Sequence, residues 1–430
     1  MVRKSMGKLL VAMDFNWRLV LFVLMPLFLF LILLYSFSLS NANNPFFLSL
    51  KRNPSWNPKG AQNHPPPVPR EKSEKMSEKE EKKKREIGRI AICLVGGARR
   101  FELTGPSLLQ RVIGVYRENS DIFVHAPLDK NSYKLSFLRR APHIAGVRIF
   151  EPQPIPETIE QAQVLTSNGS PNGIQGLLQY FNLVEGCLTM IDKHQLESGF
   201  RYDWVVRTRL DSFWSAPLSP SHFLSRKYVV PIGSQFGGLN DRLGIGDLDT
   251  SRTALSRLSL IPTLYEAGLR TLNSESAFKA QFLTKNMSFV MHTLPFCIIS
   301  DRRYSFPPAR YGVPVAAIGS KRPLSGAKCR PCKPVCKGPC VGDILGNLER
   351  GWSWTEWEGG GLELCDASGA WEEGWEEVFD KVAGKSLAKA RKKIKGLTVE
   401  SCVADFEAMR RKAADWDSPS VERICRMGLE

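Results

Sequence analysis

From Leu19 to Leu39 the chain reads LVLFVLMPLFLFLILLYSFSL, with no charged side chain. A helix rises about 1.5 Å per residue, so ~20 apolar residues cross a hydrocarbon core of ~30 Å. This run is long enough, and Pro26 within it is tolerated by a membrane helix better than by a soluble one. A cleaved signal peptide is the rival reading, but it has a shorter apolar core, about 7–15 residues, ending at small residues. Here the run lies behind a polar leader, and Asn41-Ala42-Asn43 matches a cleavage site poorly. Residues 1–18 therefore read as a cytosolic tail and 19–39 as a transmembrane signal anchor in the lipid bilayer. Arg3, Lys4, Lys8 and Arg18 precede the anchor against Asp14 alone, and beyond it the first cations are Lys51 and Arg52. The positive-inside rule keeps the N-terminus in the cytosol and sends the C-terminal bulk into the lumen. Hydropathy gives no second span.

Residues 40–88 read as a disordered stem. A Pro/Asn-rich stretch with His64-Pro65-Pro66-Pro67 leads into REKSEKMSEKEEKKKREIGR, which has too little apolar surface to order itself. The net charge of +16 and pI near 9.4 invite a nucleic-acid reading. The interspersed glutamates and the lumenal side argue for a solvated spacer instead, with no nucleic-acid partner.

Folded sequence begins at Ile90. Ile90–Val95 is a short apolar run closed by Gly96-Gly97, the pattern of a strand buried on both faces of a parallel sheet. A helix is expected after Pro106, then strands at Asp121–His125 and Gly146–Phe150. Ile174 to Leu196 places Ile174, Leu177, Leu178, Phe181, Val184 and Leu188 at helical spacing, with Gly199 closing the helix. Strands are expected from Tyr202, from Tyr228 and within Met287–Leu294, with helices around Arg252–Leu269 and Ser276–Leu283. This alternation points to an α/β fold, with a glycine-rich loop at Phe236–Gly246. After about Gly319 a Cys/Trp-rich C-terminal region, 319–430, begins and ends in a basic helical tail.

Cys329, Cys332, Cys336 and Cys340 form C-x2-C-x3-C-x3-C. That set could hold a tetrahedral zinc, but it is packed more closely than a two-knuckle site. An oxidising lumen turns paired cysteines into disulfides, so disulfides are expected here, with Cys365, Cys402 and Cys425 as further partners. Cys93, Cys187 and Cys297 sit in apolar runs and read as plain core residues.

The segment Trp204–Trp214 carries an apolar strand straight into Arg207, Arg209 and Asp211. Ligands of open α/β sheets bind beyond the carboxyl ends of the strands, and period-2 alternation sets these three side chains on one face. Arginine forks onto phosphate, and a carboxylate beside it holds a cation or a sugar hydroxyl. An ion pair that merely closes the strand end fits the same residues. Gly96-Gly97-Ala98-Arg99-Arg100 repeats the theme at the first strand, as a flexible, cationic turn suited to an anion.

Three blocks together resemble a nucleotide-sugar glycosyltransferase of the GT-A type: IAICLVGGARRFE with DIFVHAP, then YDWVVRTRLDSFW, then GGLNDRLGIGD with NSESAF and Arg302-Arg303. They cover roughly residues 89–310. With stem and anchor, the whole is similar to plant Golgi-type, type II membrane glycosyltransferase-like proteins. The resemblance implies a GT-A-like Rossmann-type sheet with flanking helices over 89–318. It also implies a Golgi membrane location, a nucleotide-sugar donor and a glycan or other secretory-pathway acceptor. Arg99, Arg100, Arg207, Arg209 and Asp211 become donor-binding candidates. The D-x-D position that holds Mn²⁺ or Mg²⁺ in such folds reads Arg209-Leu210-Asp211. Only Asp211 remains as a metal ligand, and Arg209 could itself supply charge to the diphosphate.

A general base for the acceptor hydroxyl is sought in Asp241, with Glu275 second. A turn-forming aspartate and a first-turn helix carboxylate are the plainer readings of these two. His125 follows a strand and could line the cleft, though a hydrogen-bonded edge histidine is the plainer reading. Asn286-Met287-Ser288 and Asn168-Gly169-Ser170 are N-glycosylation acceptors in form. A non-catalytic scaffold or carbohydrate-binding module is the alternative function. A third reading gives the work to Trp352, Trp354 and Trp357.

Overall fold

The computed structural model describes residues 87–430 except 169, 171, 305–314, 322 and 347–360. The cytosolic tail, the anchor, the stem up to residue 86 and Trp352, Trp354 and Trp357 lie outside the described residues. Among the described residues no helix is long and apolar enough to cross a membrane.

The strands are β1 (Ile90–Val95), β2 (Ser120–Pro127), β3 (Ile144–Phe150), β4 (Trp204–Arg209), β5 (Ser212–Trp214), β6 (Tyr228–Pro231), β7 (Leu243–Asp247), β8 (Phe289–His292), β9 (Phe296–Ile299), β10 (Ala316–Ala317), β11 (Lys328–Arg330) and β12 (Ala413–Asp417). They form an eight-stranded sheet in the order β12-β3-β2-β1-β4-β7-β6-β8 and a four-stranded sheet in the order β10-β11-β9-β5. In the large sheet β7 alone runs against its neighbours. The fold is mixed α/β with a large, mostly parallel sheet.

β1 shows why. All its side chains are buried, and alternate residues face opposite layers. Ile90, Ile92 and Leu94 join a core with α1 (Phe101–Leu108), Leu135 and Leu138, and the chain's C-terminal helices. Ala91, Cys93 and Val95 face the helix Gly173–Ser198 and Leu248. That helix is α3, following the short α2 (Ile159–Val164) that Thr158 opens with a capping box. Gly199, at φ 66°, ends α3 in the left-handed conformation that favours glycine. The remaining helices are α4 (Leu248–Leu255), α5 (Ile261–Glu266), α6 (Ser274–Thr284), α7 (Pro339–Gly346), α8 (Trp375–Ala383), α9 (Lys385–Lys395), α10 (Val399–Arg410) and α11 (Val421–Leu429).

Several expectations are corrected. The helix expected after Pro106 starts at Phe101 and contains the proline. Pro106 has no amide to donate to the preceding turn, and the helix passes into a π turn at Leu109–Ile113. The helix expected over Arg252–Leu269 is split into α4 and α5, with Pro262 opening the second piece. The glycine-rich loop contains β7: a β-carbon on Gly244 or Gly246 would collide with Tyr228, so glycine lets β7 lie against that ring. The basic tail is not wholly helical, because β12 pairs with β3 from Ala413↔Ile144 to Asp417↔Arg148.

All ten cysteines are bridged, as Cys93–Cys187, Cys297–Cys329, Cys332–Cys365, Cys336–Cys340 and Cys402–Cys425. The expected disulfide candidates are all in bridges, but Cys93, Cys187 and Cys297 are not plain core thiols. They are as buried as core residues, so apolar context conceals the bridge. Packing of α3 across β1 brings Cys93 and Cys187 to a Cα–Cα distance of 6.3 Å, within bridging range.

Candidate functional site

β1, β2 and β3 step outward in one direction, and the chain then returns through α3 to β4 on the other side of β1. That reversal is a topological switch point, where open α/β sheets leave a crevice beyond the carboxyl ends. The register is level there: Val95 lies between His125 of β2 and Arg209 of β4. Gly96 follows at φ 110°, and nothing lies within 4 Å of where its β-carbon would project. The turn is therefore both dependent on glycine and open.

Arg99, on this turn, is exposed and has no ion pair among the described residues. Arg100 is committed elsewhere. Its Nε donates to Asp301 at 2.8 and 3.0 Å, and its guanidinium lies 4.1 Å from the Trp371 ring. It fastens the C-terminal region to the sheet and is not left for a donor.

Arg207 is 1 % exposed. Its Nη1 donates to the Asp241 carbonyl at 2.5 Å and to the Tyr180 hydroxyl at 3.4 Å, and that hydroxyl donates to the same carbonyl at 2.8 Å. Beside it, buried Arg257 lies over the rings of Phe181 and Phe278 and donates to the Ser274 carbonyl at 2.7 Å. The Asp241 carboxylate accepts from the Ser274 hydroxyl and stands 3.9 Å from Arg257. Asp241 is thus buried, at 5 % exposure, beside Arg257. Arg207 is likewise enclosed and does not meet solvent.

Glu275 has a different setting. It is half-buried in the first turn of α6, with no hydrogen bond or ion pair to its carboxylate among the described residues. Burial, and then the Asp241 carboxylate, push its pKa up to about 8, against the pull of Arg242. A carboxyl that titrates near neutrality suits general acid–base work.

Arg209 and Asp211 fork onto one another, Nε to Oδ1 at 2.8 Å and Nη2 to Oδ2 at 2.7 Å. Burial works against the Arg209 charge, but Asp211 more than offsets it and holds the guanidinium charged. Both carboxylate oxygens are occupied, and among the described residues no group of three or more His, Cys, Asp or Glu could hold a metal ion. This donor set does not fit Mn²⁺ or Mg²⁺, because Asp211 has no cluster of further His, Cys, Asp or Glu ligands around it among the described residues.

Lys328 was missed in the sequence. It opens β11 opposite Ile298, one residue before Cys329 in a stretch that reads as a disulfide staple. Its Nζ lies 4.9 Å from the Tyr304 ring centroid. The side chain is half-buried and has no hydrogen bond or carboxylate partner among the described residues. Burial, then Arg242, Arg302 and Arg209, push its pKa down to about 7. No local sequence signal marks it.

His125 is hydrogen-bonded, as expected, but it is buried in the core and not at an edge. Its Nδ1 meets the Leu183 carbonyl at 2.9 Å, and burial lowers its pKa to about 4. Asn168 and Asn286 are both exposed.

No curated protein matches the chain. A family model described as "Domain of unknown function (DUF7796)" matches residues 85–430, the whole of the α/β fold with its cation-rich switch point. The chain belongs to that family.

Proposed function

We propose that this protein is a membrane-anchored, lumenal glycosyltransferase-like enzyme of the Golgi, moving a sugar from a nucleotide-sugar donor to a glycan or other secretory acceptor. The observation that carries the proposal is the set of residues gathered beyond the carboxyl ends of β1 and β4. There an open glycine turn, a fixed Arg209–Asp211 fork, Lys328 and a near-neutral carboxyl at Glu275 surround one switch point. The GT-A-type reading of the sheet draws support from the same feature. Five disulfides accord with an oxidising compartment, and the apolar run 19–39 supplies the anchor.

In this reading cations meet the donor diphosphate, and Glu275 replaces Asp241 as the base. The ionised fraction of Glu275, which grows as pH rises towards 8, takes the proton of the acceptor hydroxyl while the new glycosidic bond forms and the nucleoside diphosphate departs with the electrons of the broken bond. Preorganised cations at the leaving group stabilise the charge that develops there. One observation favours a non-catalytic scaffold or carbohydrate-binding protein as the second reading. The carboxylates nearest the D-x-D position, Asp211 and Asp241, are both committed to arginines.

The full chain in detergent micelles, titrated with a panel of nucleotide sugars with and without Mn²⁺, separates the two. The enzyme is expected to bind at least one donor and to hydrolyse it slowly without acceptor. Neither binding nor hydrolysis across the panel would sink the transferase and leave the scaffold.

A further inference from the structure

We propose that the diphosphate of the donor is held by a metal-free cradle of cations, centred on Lys328 and completed by Arg242 and Arg302. This rests on the donor reading above and names what stands where a divalent cation was expected.

The small sheet and the large one meet at this point. The Asp211 carbonyl accepts from the Ile299 amide at 2.9 Å, which ties the end of β4 to β9. β11 pairs with β9 so that Lys328 lies opposite Ile298. From the other side, Arg242 Nη1 donates to the Gly326 carbonyl at 2.6 Å and to Ser234 Oγ at 2.8 Å. Its guanidinium is fixed against the chain just before Lys328, and both bonds use a single nitrogen. Gly326, at φ 76°, is packed against Phe296, so the approach of Arg242 is set by backbone and not by a flexible side chain.

The charges do not balance. Asp211 is forked onto Arg209, Asp241 is held by Ser274 beside Arg257, and Glu275 carries its proton up to about pH 8. Lys328, with Arg242 and Arg302 near enough to act on its charge, therefore has no ion-paired carboxylate among the described residues. A half-buried ammonium with only an aromatic face beside it is costly unless an anion completes the site. A divalent metal would add more positive charge to the same place. A diphosphate supplies the missing negative charge, and a lysine is a common point-charge partner for phosphate.

The test uses the full chain in detergent micelles with EDTA present and inorganic pyrophosphate as probe, followed by calorimetric titration. Pyrophosphate is expected to bind without metal. Lys328→Met is expected to weaken binding by about 10- to 100-fold, the worth of one hydrogen bond to a charged group, whereas Lys328→Arg stays within a few-fold. The thermal midpoint of free Lys328→Met should be no lower than that of the parent, because the variant loses an unpaired, half-buried charge. That midpoint guards against misfolding. Equal binding by Lys328→Met, absence of pyrophosphate binding, or binding that needs Mn²⁺ would each overturn the cradle. If a nucleotide sugar binds independently of Lys328, the cradle fails and the donor reading stands. If pyrophosphate binds through Lys328 and no nucleotide sugar does, the anion site stands and the donor reading falls.

Discussion

The Asp241 carboxylate sits close enough to Glu275 to help push its pKa up, yet only Glu275 is available for chemistry. Ser274 and Arg257 hold Asp241 in place, while Glu275 meets solvent in part and keeps its proton to about pH 8. Such a raised value makes a stability prediction. Between the ordinary glutamate range and about pH 8 the folded chain holds a proton that the unfolded chain has released, so this group's contribution to stability is present at low pH and is lost as pH rises through 8. Lys328 acts in the opposite sense from about pH 7 upward, because there the folded chain binds fewer protons than the unfolded one. Comparing Glu275→Gln with the parent isolates the first effect. The variant should show a flatter denaturation free energy from pH 5 to 8 and be the more stable of the two above pH 8. A parallel pair of pH curves would mean that Glu275 titrates normally. Sequence spacing found the arginines and carboxylates of this region, but not which of them were free. That depends on Tyr180, Phe181 and Ser274, brought up by helices whose approach no motif encodes. Lys328 was hidden for the converse reason, since its neighbours in sequence are structural cysteines.

At the scale of elements, what could be read was whatever buries a regular pattern. β1 and α3 declared themselves through continuous and period-matched apolar residues. β7 did not, because Gly244 and Gly246 are there to admit Tyr228 and leave no hydrophobic signature. β12 did not, because its residues Ala-Ala-Asp-Trp-Asp form a partly exposed edge whose pairing is decided by β3. The disulfides divide in the same way. Four bridges join buried sulfurs, whereas Cys340 is exposed and its bridge to Cys336 closes a separation of only 4 residues. A short loop constrains the unfolded chain least, and an exposed sulfur is the one a thiolate reaches. Graded treatment of the native protein with a dithiol, followed by alkylation and peptide mapping, should therefore label Cys336 and Cys340 first and Cys93 and Cys187 late. Early labelling of Cys93 or Cys187 would show that α3 opens away from β1 more readily than this packing allows.

For the molecule as a whole, the described residues from β1 to α11 belong to one compact unit. The reason is in the contacts. β12 completes the edge of the large sheet, Cys402–Cys425 ties α10 to α11, and Phe406, Met409 and Ile424 are buried in the same core as Leu135, Leu138 and β1. Arg100 adds a polar fastening to Asp301 and Trp371. A bridge between residues 23 apart is worth roughly 2–4 kcal/mol in such a setting, and each fully buried large apolar side chain adds about 1.5–3 kcal/mol. Together these amount to about 6–13 kcal/mol, comparable with the whole net stability of an ordinary domain, about 5–15 kcal/mol. A chain ended at Gly396 should therefore leave β3 as a bare edge, expose Leu135 and Leu138, and show no cooperative unfolding in calorimetry. The full chain should unfold in one transition that spans both halves. If the shortened chain unfolded cooperatively with a midpoint within a few degrees of the parent, residues 397–430 would be a detachable module. The switch-point crevice would then owe nothing to them.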